Sequence, residues 1–285
     1  MAPLREHQPP QGDSSLTYTP QHCFLATNFT SQEEFCNHAL QTVISASHHQ
    51  EVVYTRVPLA WGEAVFEHLD EKVSARKHFN TETRTLWMRI MPTELHDCHQ
   101  EWMRDEMSLW QSQGLLTVAE MHYLKPRVGT TIKFQYAPYS GSQKEPDFLL
   151  RPNNQRHPVL VIESGWSESI PRLMDDMNLW LLGARGTVMM VIILKWQTIS
   201  NTNQVRGFAE VYTLNSNGIP IMRQREPIYP VSPTAHAQEI RLTRHMLFGN
   251  AISPDRDPND VLPLKFDCLR VVARDALSLM GLVPA

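Results

Sequence analysis

The chain has 285 residues, 42% of them hydrophobic and 20% charged, enough apolar material for one large core with a small appended region. Its 26 Lys and Arg against 30 Asp and Glu give a formal net charge of -4, which is not the positive footprint of a typical nucleic-acid binder, so any contact with nucleic acid needs a local basic groove. No apolar run approaches the roughly 20 residues that cross a bilayer. Four dispersed cysteines, Cys23, Cys36, Cys98 and Cys268, indicate neither a disulfide framework nor a zinc knuckle. An intracellular protein, cytoplasmic or nuclear and without membrane contact, is expected.

Residues 1–20 are rich in Pro, Gln and Ser and read as a disordered tail. Residues 21–95 form an N-terminal extension of helices and strands. Ser31 to Glu34 resembles a capping box ahead of a helix that ends near Ser47. Glu51 to Val57 alternates as a strand, Trp61 to Lys72 resumes helical spacing, and Thr85 to Met91 is the best strand in the mixed stretch that follows.

Residues 96–230 are the expected core. Asp97 to Gln113 is a helix closed by Gly114, with Trp102, Glu106, Leu109 and Trp110 on one face, so Glu106 points inward. Thr130 to Tyr136 alternates as a half-buried strand. Asp147 to Arg151 is a short strand, and Pro158 to Glu163 is a continuous apolar run of the kind covered on both faces. Ser169 caps a helix with Pro171 in its first turn and an apolar stripe from Leu173 through Trp180, in which Asp175 and Asp176 supply charge to the early turns. Val188 to Leu194 follows as a second apolar strand, so the two apolar strands should be parallel across a crossover helix. Gly207 to Leu214 and Ile219 to Arg225 flank an Asn-Ser-Asn-Gly turn, a strong hairpin signal. Residues 231–285 hold a loop and an amphipathic helix, Lys265 to Leu282, that packs on the core.

If the strands ending at Arg151 and starting at Val159 pair about a centre at Gln155, Asp147 lies opposite Glu163 on the same face. Opposed carboxylates repel, and hard Mg²⁺ or Mn²⁺ is one natural way to offset that repulsion. Each acid also has an ordinary structural explanation, Asp147 as a turn residue starting a strand and Glu163 as a cap for the next helix.

Pro146-Asp147, then Val161-Ile162-Glu163-Ser164-Gly165-Trp166 and the continuation Ser167-Glu168-Ser169, Leu173, Asp176 and Trp180, resembles the PD-(D/E)XK superfamily. The likeness extends over roughly Asp97 to Trp196 and is similar to a group of fungal proteins with this nuclease-like domain. It implies an α/β (α+β) restriction-endonuclease-like core: a mixed β-sheet with a βαβ crossover flanked by helices, plus the N-terminal extension. It also implies Mg- or Mn-dependent phosphodiester hydrolysis, with Asp147 and Glu163 as metal ligands and Glu106 as the helical helper acid. Gly165 stands where the family places its lysine; Lys195, at the end of the next strand, is the leading substitute, ahead of Arg172, Lys144 and Lys133. Three readings therefore stay open: a nuclease, a catalytically inactive interaction or structural module with a protein partner, and a small-molecule activity of a fungal biosynthetic pathway.

Overall fold

The computed structural model describes residues 22–70, 72–73, 75–153, 155–165, 170–232 and 238–285. The tail at residues 1–20, the Ser169 cap and Trp166 lie outside the described residues. The first half runs β1 (His22–Leu25), α1 (Gln32–Ile44), β2 (Gln50–Thr55), α2 (Leu59–Asp70), β3 (Arg76–Asn80), β4 (Thr85–Ile90), α3 (Glu94–Ser112), α4 (Val118–Tyr123), β5 (Leu124–Arg127), β6 (Ile132–Lys133) and β7 (Gln143–Lys144). There follow β8 (Phe148–Pro152), β9 (Leu160–Gly165), α5 (Ile170–Gly183), β10 (Met190–Thr198), β11 (Gln204–Leu214), β12 (Pro220–Tyr229), β13 (Glu239–Thr243), α6 (Arg244–Phe248), β14 (Val261–Lys265), α7 (Phe266–Leu279) and β15 (Val283–Pro284). Among the described residues the fold is mixed α and β, with no barrel.

Two large sheets carry it. The first has the order β1-β2-β4-β3-β7-β6, and the second β12-β11-β10-β9-β8-β5 with β15 beside β11. Strands β9 and β10 are parallel and joined through α5, because a crossover is the short route between parallel neighbours, and β11 and β12 form the expected hairpin. Gly218, at φ +74, supplies the left-handed residue of the hairpin turn, while the Asn215 side chain accepts the backbone N–H groups of Asn217 and Ile219.

Alternation sorts the second sheet into two apolar faces. Phe148, Leu150, Leu160, Ile162, Ile192 and Leu194 pack on the α3 and α7 side, and Leu149, Val161, Val191 and Ile193 pack with Trp180 on the α5 side. The first sheet behaves differently. Val52, Tyr54, Phe79, Leu86 and Met88 bury an apolar face beneath α1 and α2. The opposite face holds Glu51, Arg89 and Arg76 in one cross-strand row and Val53, Trp87, His78 and Lys144 in the next. This second face is polar and still buried, so it must find partners elsewhere.

Several boundaries differ from expectation. The alternation of Thr130 to Tyr136 yields only the two-residue β6: Ile132 and Phe134 are buried anchors, but pairing is confined to β7 at the edge of the first sheet. Residues 132–144 therefore complete the sheet of the N-terminal extension across the boundary expected at residue 95. Strand β3 was not foreseen because Arg76, His78 and Asn80 make its inward face polar, which defeats a rule that looks for apolar alternation. The Ser31 hydroxyl accepts the Glu34 N–H as a cap should, yet the Glu34 carboxylate turns to the N–H and hydroxyl of Thr30 instead of closing the box on Ser31.

Candidate functional site

The inward polar face of the first sheet meets α5, the start of β8 and the end of β9. Strands β8 and β9 pair antiparallel with Phe148 opposite Ile162 and Leu149 opposite Val161, a register that, carried one residue further, sets Asp147 opposite Glu163. Both acids are buried, and by strand alternation both take the α5 side, as Leu149 and Val161 do.

Each carboxylate is met by groups from the protein itself. One oxygen of Asp147 accepts from Nη1 of Arg76 at 2.6 Å and from Nη1 of Arg89 at 2.9 Å. The other accepts the backbone N–H of Ser164 at 2.8 Å and lies 3.1 Å from Nε2 of His96. Burial acts to raise this carboxyl, but His96, Arg89 and Arg76 together outweigh it and hold it well below the usual carboxylate range. Glu163 accepts the indole N–H of Trp180 at 2.6 Å and has Nζ of Lys144 at 3.3 Å. Burial raises this carboxyl well above its ordinary value; Lys144 counteracts that, and the nearby Asp147 and Asp176 reinforce it.

Lys144 bridges to a third acid. Its ammonium lies 2.9 Å from Oδ2 of Asp176, whose other oxygen is 2.8 Å from Nδ1 of His78. Burial alone would raise Asp176, yet Lys144 and His78 pull it below the usual range. Glu51 completes the array, 3.4 Å from Nε of Arg89 and 3.2 Å from Nη2 of Arg172. The guanidinium carbons of Arg89 and Arg172 lie 4.4 and 5.1 Å from the centroid of the Trp87 ring, within cation–π range.

The other expected residues sit elsewhere. Glu106 is buried as expected, but its carboxylate accepts the backbone N–H of Lys265 at 2.9 Å, at the start of α7. Lys195 lies beside Gly165 in the β9–β10 register, two residues beyond the Ile193–Glu163 pair, and is partly exposed. Among the cations weighed as substitutes, Lys144 has its ammonium 3.3 Å from Glu163. Asp176, expected to complement a helix end, is 1% exposed and serves as a buried counter-ion. Arg76, Arg89, His78 and His96 were missed altogether. For Arg76, His78 and Arg89 the signal was the alternation of polar with apolar residues in Arg76 to Asn80 and Thr85 to Ile90, a pattern that becomes informative only when both faces of a strand are buried; His96, in the first turn of α3, gave no such signal.

A cleft of about 230 Å³ opens beside this array, between the inward face of the first sheet and the first turns of α5. Val53, His78, Asn80 and Trp87 form its buried floor, and Thr83, Pro171 and Asp175 stand at its exposed rim. Among the described residues no group of three or more His, Cys, Asp or Glu side chains is arranged to hold a metal ion, and no helix is long and apolar enough to cross a membrane. No family model, no curated protein and no solved structure matches the chain.

Proposed function

We propose that this is a nuclease-like protein of the PD-(D/E)XK type whose two signature acids act as internal counter-ions, making the domain a non-catalytic interaction or structural module. The observation that carries this reading is the saturation of Asp147 by Arg76, Arg89, His96 and the Ser164 amide. A hydrated Mg²⁺ or Mn²⁺ needs carboxylate lone pairs open to it and room for several waters. Here Arg76, Arg89, His96 and the Ser164 amide already meet both oxygens of Asp147, and Lys144 and Trp180 each meet one oxygen of Glu163. The residues present do not fit such an ion.

In this reading Asp147 and Asp176 join the first sheet to the second. Arg76 and Arg89 reach Asp147 from β3 and β4, and Lys144 and His78 reach Asp176 on α5 from β7 and β3. A buried ion pair need not add net stability, but removing one partner leaves an uncompensated charge, so such pairs specify one arrangement of the two sheets. That arrangement would present the outer surfaces to a protein partner.

One observation favours the hydrolytic alternative. The ammonium of Lys144 beside Glu163 could stand in for the lysine missing at Gly165. Incubation with single- and double-stranded DNA and RNA in Mg²⁺ or Mn²⁺ separates the two readings. The non-catalytic reading expects no cleavage above that of Asp147→Asn; cleavage abolished by both Asp147→Asn and Glu163→Gln would overturn it.

A further inference from the structure

Between residues 121 and 162 the chain carries six Lys and Arg and two acids, Glu145 and Asp147, although acids outnumber cations over the whole sequence. Both acids are committed inside the fold. Glu145 accepts the Thr131 hydroxyl and lies 3.5 Å from Nζ of Lys77, and Asp147 is taken by Arg76 and Arg89. Of the six cations, Lys144 is paired with Asp176 and Glu163, and the strand register gathers three of the others.

Strands β5 and β8 pair antiparallel with Lys125 directly opposite Arg151 and Arg127 opposite Leu149. Opposed residues share a face, and so do residues two apart in a strand, so all three cations lie on one face of the second sheet at its β5 edge. Lys125 and Arg151 are half-buried and Arg127 is exposed. None of the three has a carboxylate within ion-pair distance among the described residues. Like charges directly opposed in a ladder are destabilising. Cations on an edge strand discourage unwanted pairing, but Arg151 sits on the inner strand, where edge protection gives no reason for it. An anion lying on this face supplies the missing partner.

The fold narrows the form of that anion. Lys125 and Arg127 stand about 7 Å apart along their strand, the spacing at which an extended peptide repeats its own same-face side chains. The edge backbone adds little, since Pro126 has no N–H and the Leu124 N–H is spent on the carbonyl of Glu120. Recognition therefore rests on charged side chains and not on strand addition. The whole-chain charge of -4 works against a nucleic acid, whose binding draws on a broad positive surface.

We propose that, in the non-catalytic module described above, the β5–β8 face docks an acidic, extended segment of a protein partner whose alternate carboxylates meet Lys125, Arg127 and Arg151, an assignment that rests on that reading and gives its partner a chemistry. The test is fluorescence anisotropy of a labelled octapeptide that alternates Glu and Ser, titrated with the full chain, beside its counterpart with Gln for Glu. Expected is saturable binding of the acidic peptide, weaker by about tenfold or more for the Gln peptide and for Lys125→Glu with Arg127→Glu, and weakened by added salt. Arg223→Glu with Arg241→Glu makes the same change of net charge on β12 and β13 and should leave binding intact. Should the first double variant not fold, Lys125→Gln with Arg127→Gln takes its place and should also weaken binding. No binding of the acidic peptide, equal loss in the β5 and the β12–β13 variants, or binding of an oligothymidylate through these residues in preference to the peptide would overturn the proposal. The cleavage assay above judges the non-catalytic reading separately, so a chain that neither cuts nucleic acid nor binds the peptide defeats the docking assignment and leaves that reading standing.

Discussion

Arg89 reaches out of the first sheet to place Nη1 2.9 Å from the carboxylate of Asp147, at the leading edge of β8 in the second sheet. Both side chains are almost fully buried, and Arg89 is one of several groups that meet Asp147, while it also reaches Glu51. Arg89→Met should destabilise the fold by about 3 kcal/mol, because it removes one buried cation shared by Asp147 and Glu51 and leaves their charge less well compensated. The double variant Arg89→Met with Asp147→Leu should recover much of that loss. Chemical denaturation of the four proteins in a double-mutant cycle checks this; additive losses would show that the two side chains are not coupled.

Acid should unfold the protein in two stages. Burial pushes His99 down to about 4 from an ordinary 6.5 and also lowers His78. A histidine held neutral in the fold takes up protons more readily once unfolded, so its contribution is complete above about pH 6.5 and is lost as the pH falls toward 4. Asp147 and Asp176 lie below the ordinary carboxylate value in the fold. Their contribution is present above about pH 4 and is lost as the pH falls further through their lowered values. Glu163, raised by burial, works in the opposite direction and gains from acid. Denaturant midpoints measured from pH 8 to pH 3 should decline from about pH 6.5 downward; a midpoint flat to pH 4 would contradict the histidine contribution.

Gly62, on the inner face of α2, tests the packing of the apolar face. A Cβ there would sit 2.1 Å from the Phe79 ring, and Phe79 is 1% exposed with nowhere to retreat. Alanine is favoured over glycine in a helix by about 1 kcal/mol, but overpacking a tight core costs about 1–3 kcal/mol. Gly62→Ala should therefore lower the thermal midpoint, and a rise would mean that α2 shifts easily on the sheet.

Glu106 accepts the N–H of Lys265 at the start of α7. Burial raises its carboxyl, and the Lys265 amide partly offsets this. Glu106→Gln keeps an acceptor and should change stability little, whereas Glu106→Ala removes the acceptor of the part-buried Lys265 N–H and should cost about 1 kcal/mol. Denaturation of both variants checks this. A structural role is indicated if the Gln protein matches the wild type.

How much of this was legible in the sequence depends on the range of the interaction involved. The crossover from β9 through α5 to β10, the hairpin of β11 and β12, and the register that aligns Asp147 with Glu163 rest on local patterns of apolar runs, turn residues and strand spacing. The partners of those acids do not. Arg76 lies 71 residues from Asp147, and Lys144 lies 32 from Asp176, so no local pattern joins them. Strand β3 was overlooked for the same reason. Its polar inward face makes sense only beside carboxylates contributed by another sheet, and Asp176 looked like an ordinary acid in the early turns of a helix until Lys144 and His78 were seen beside it.

The most direct measurement is calorimetric titration of the wild-type chain and of Asp147→Asn with Mn²⁺ at neutral pH, with unfolding midpoints taken on the same samples. Internal counter-ions should give no saturable heat with either protein, together with a midpoint for Asp147→Asn well below that of the wild type. Saturable binding at one ion per chain that Asp147→Asn abolishes while leaving stability intact would contradict the assignment of these acids as counter-ions.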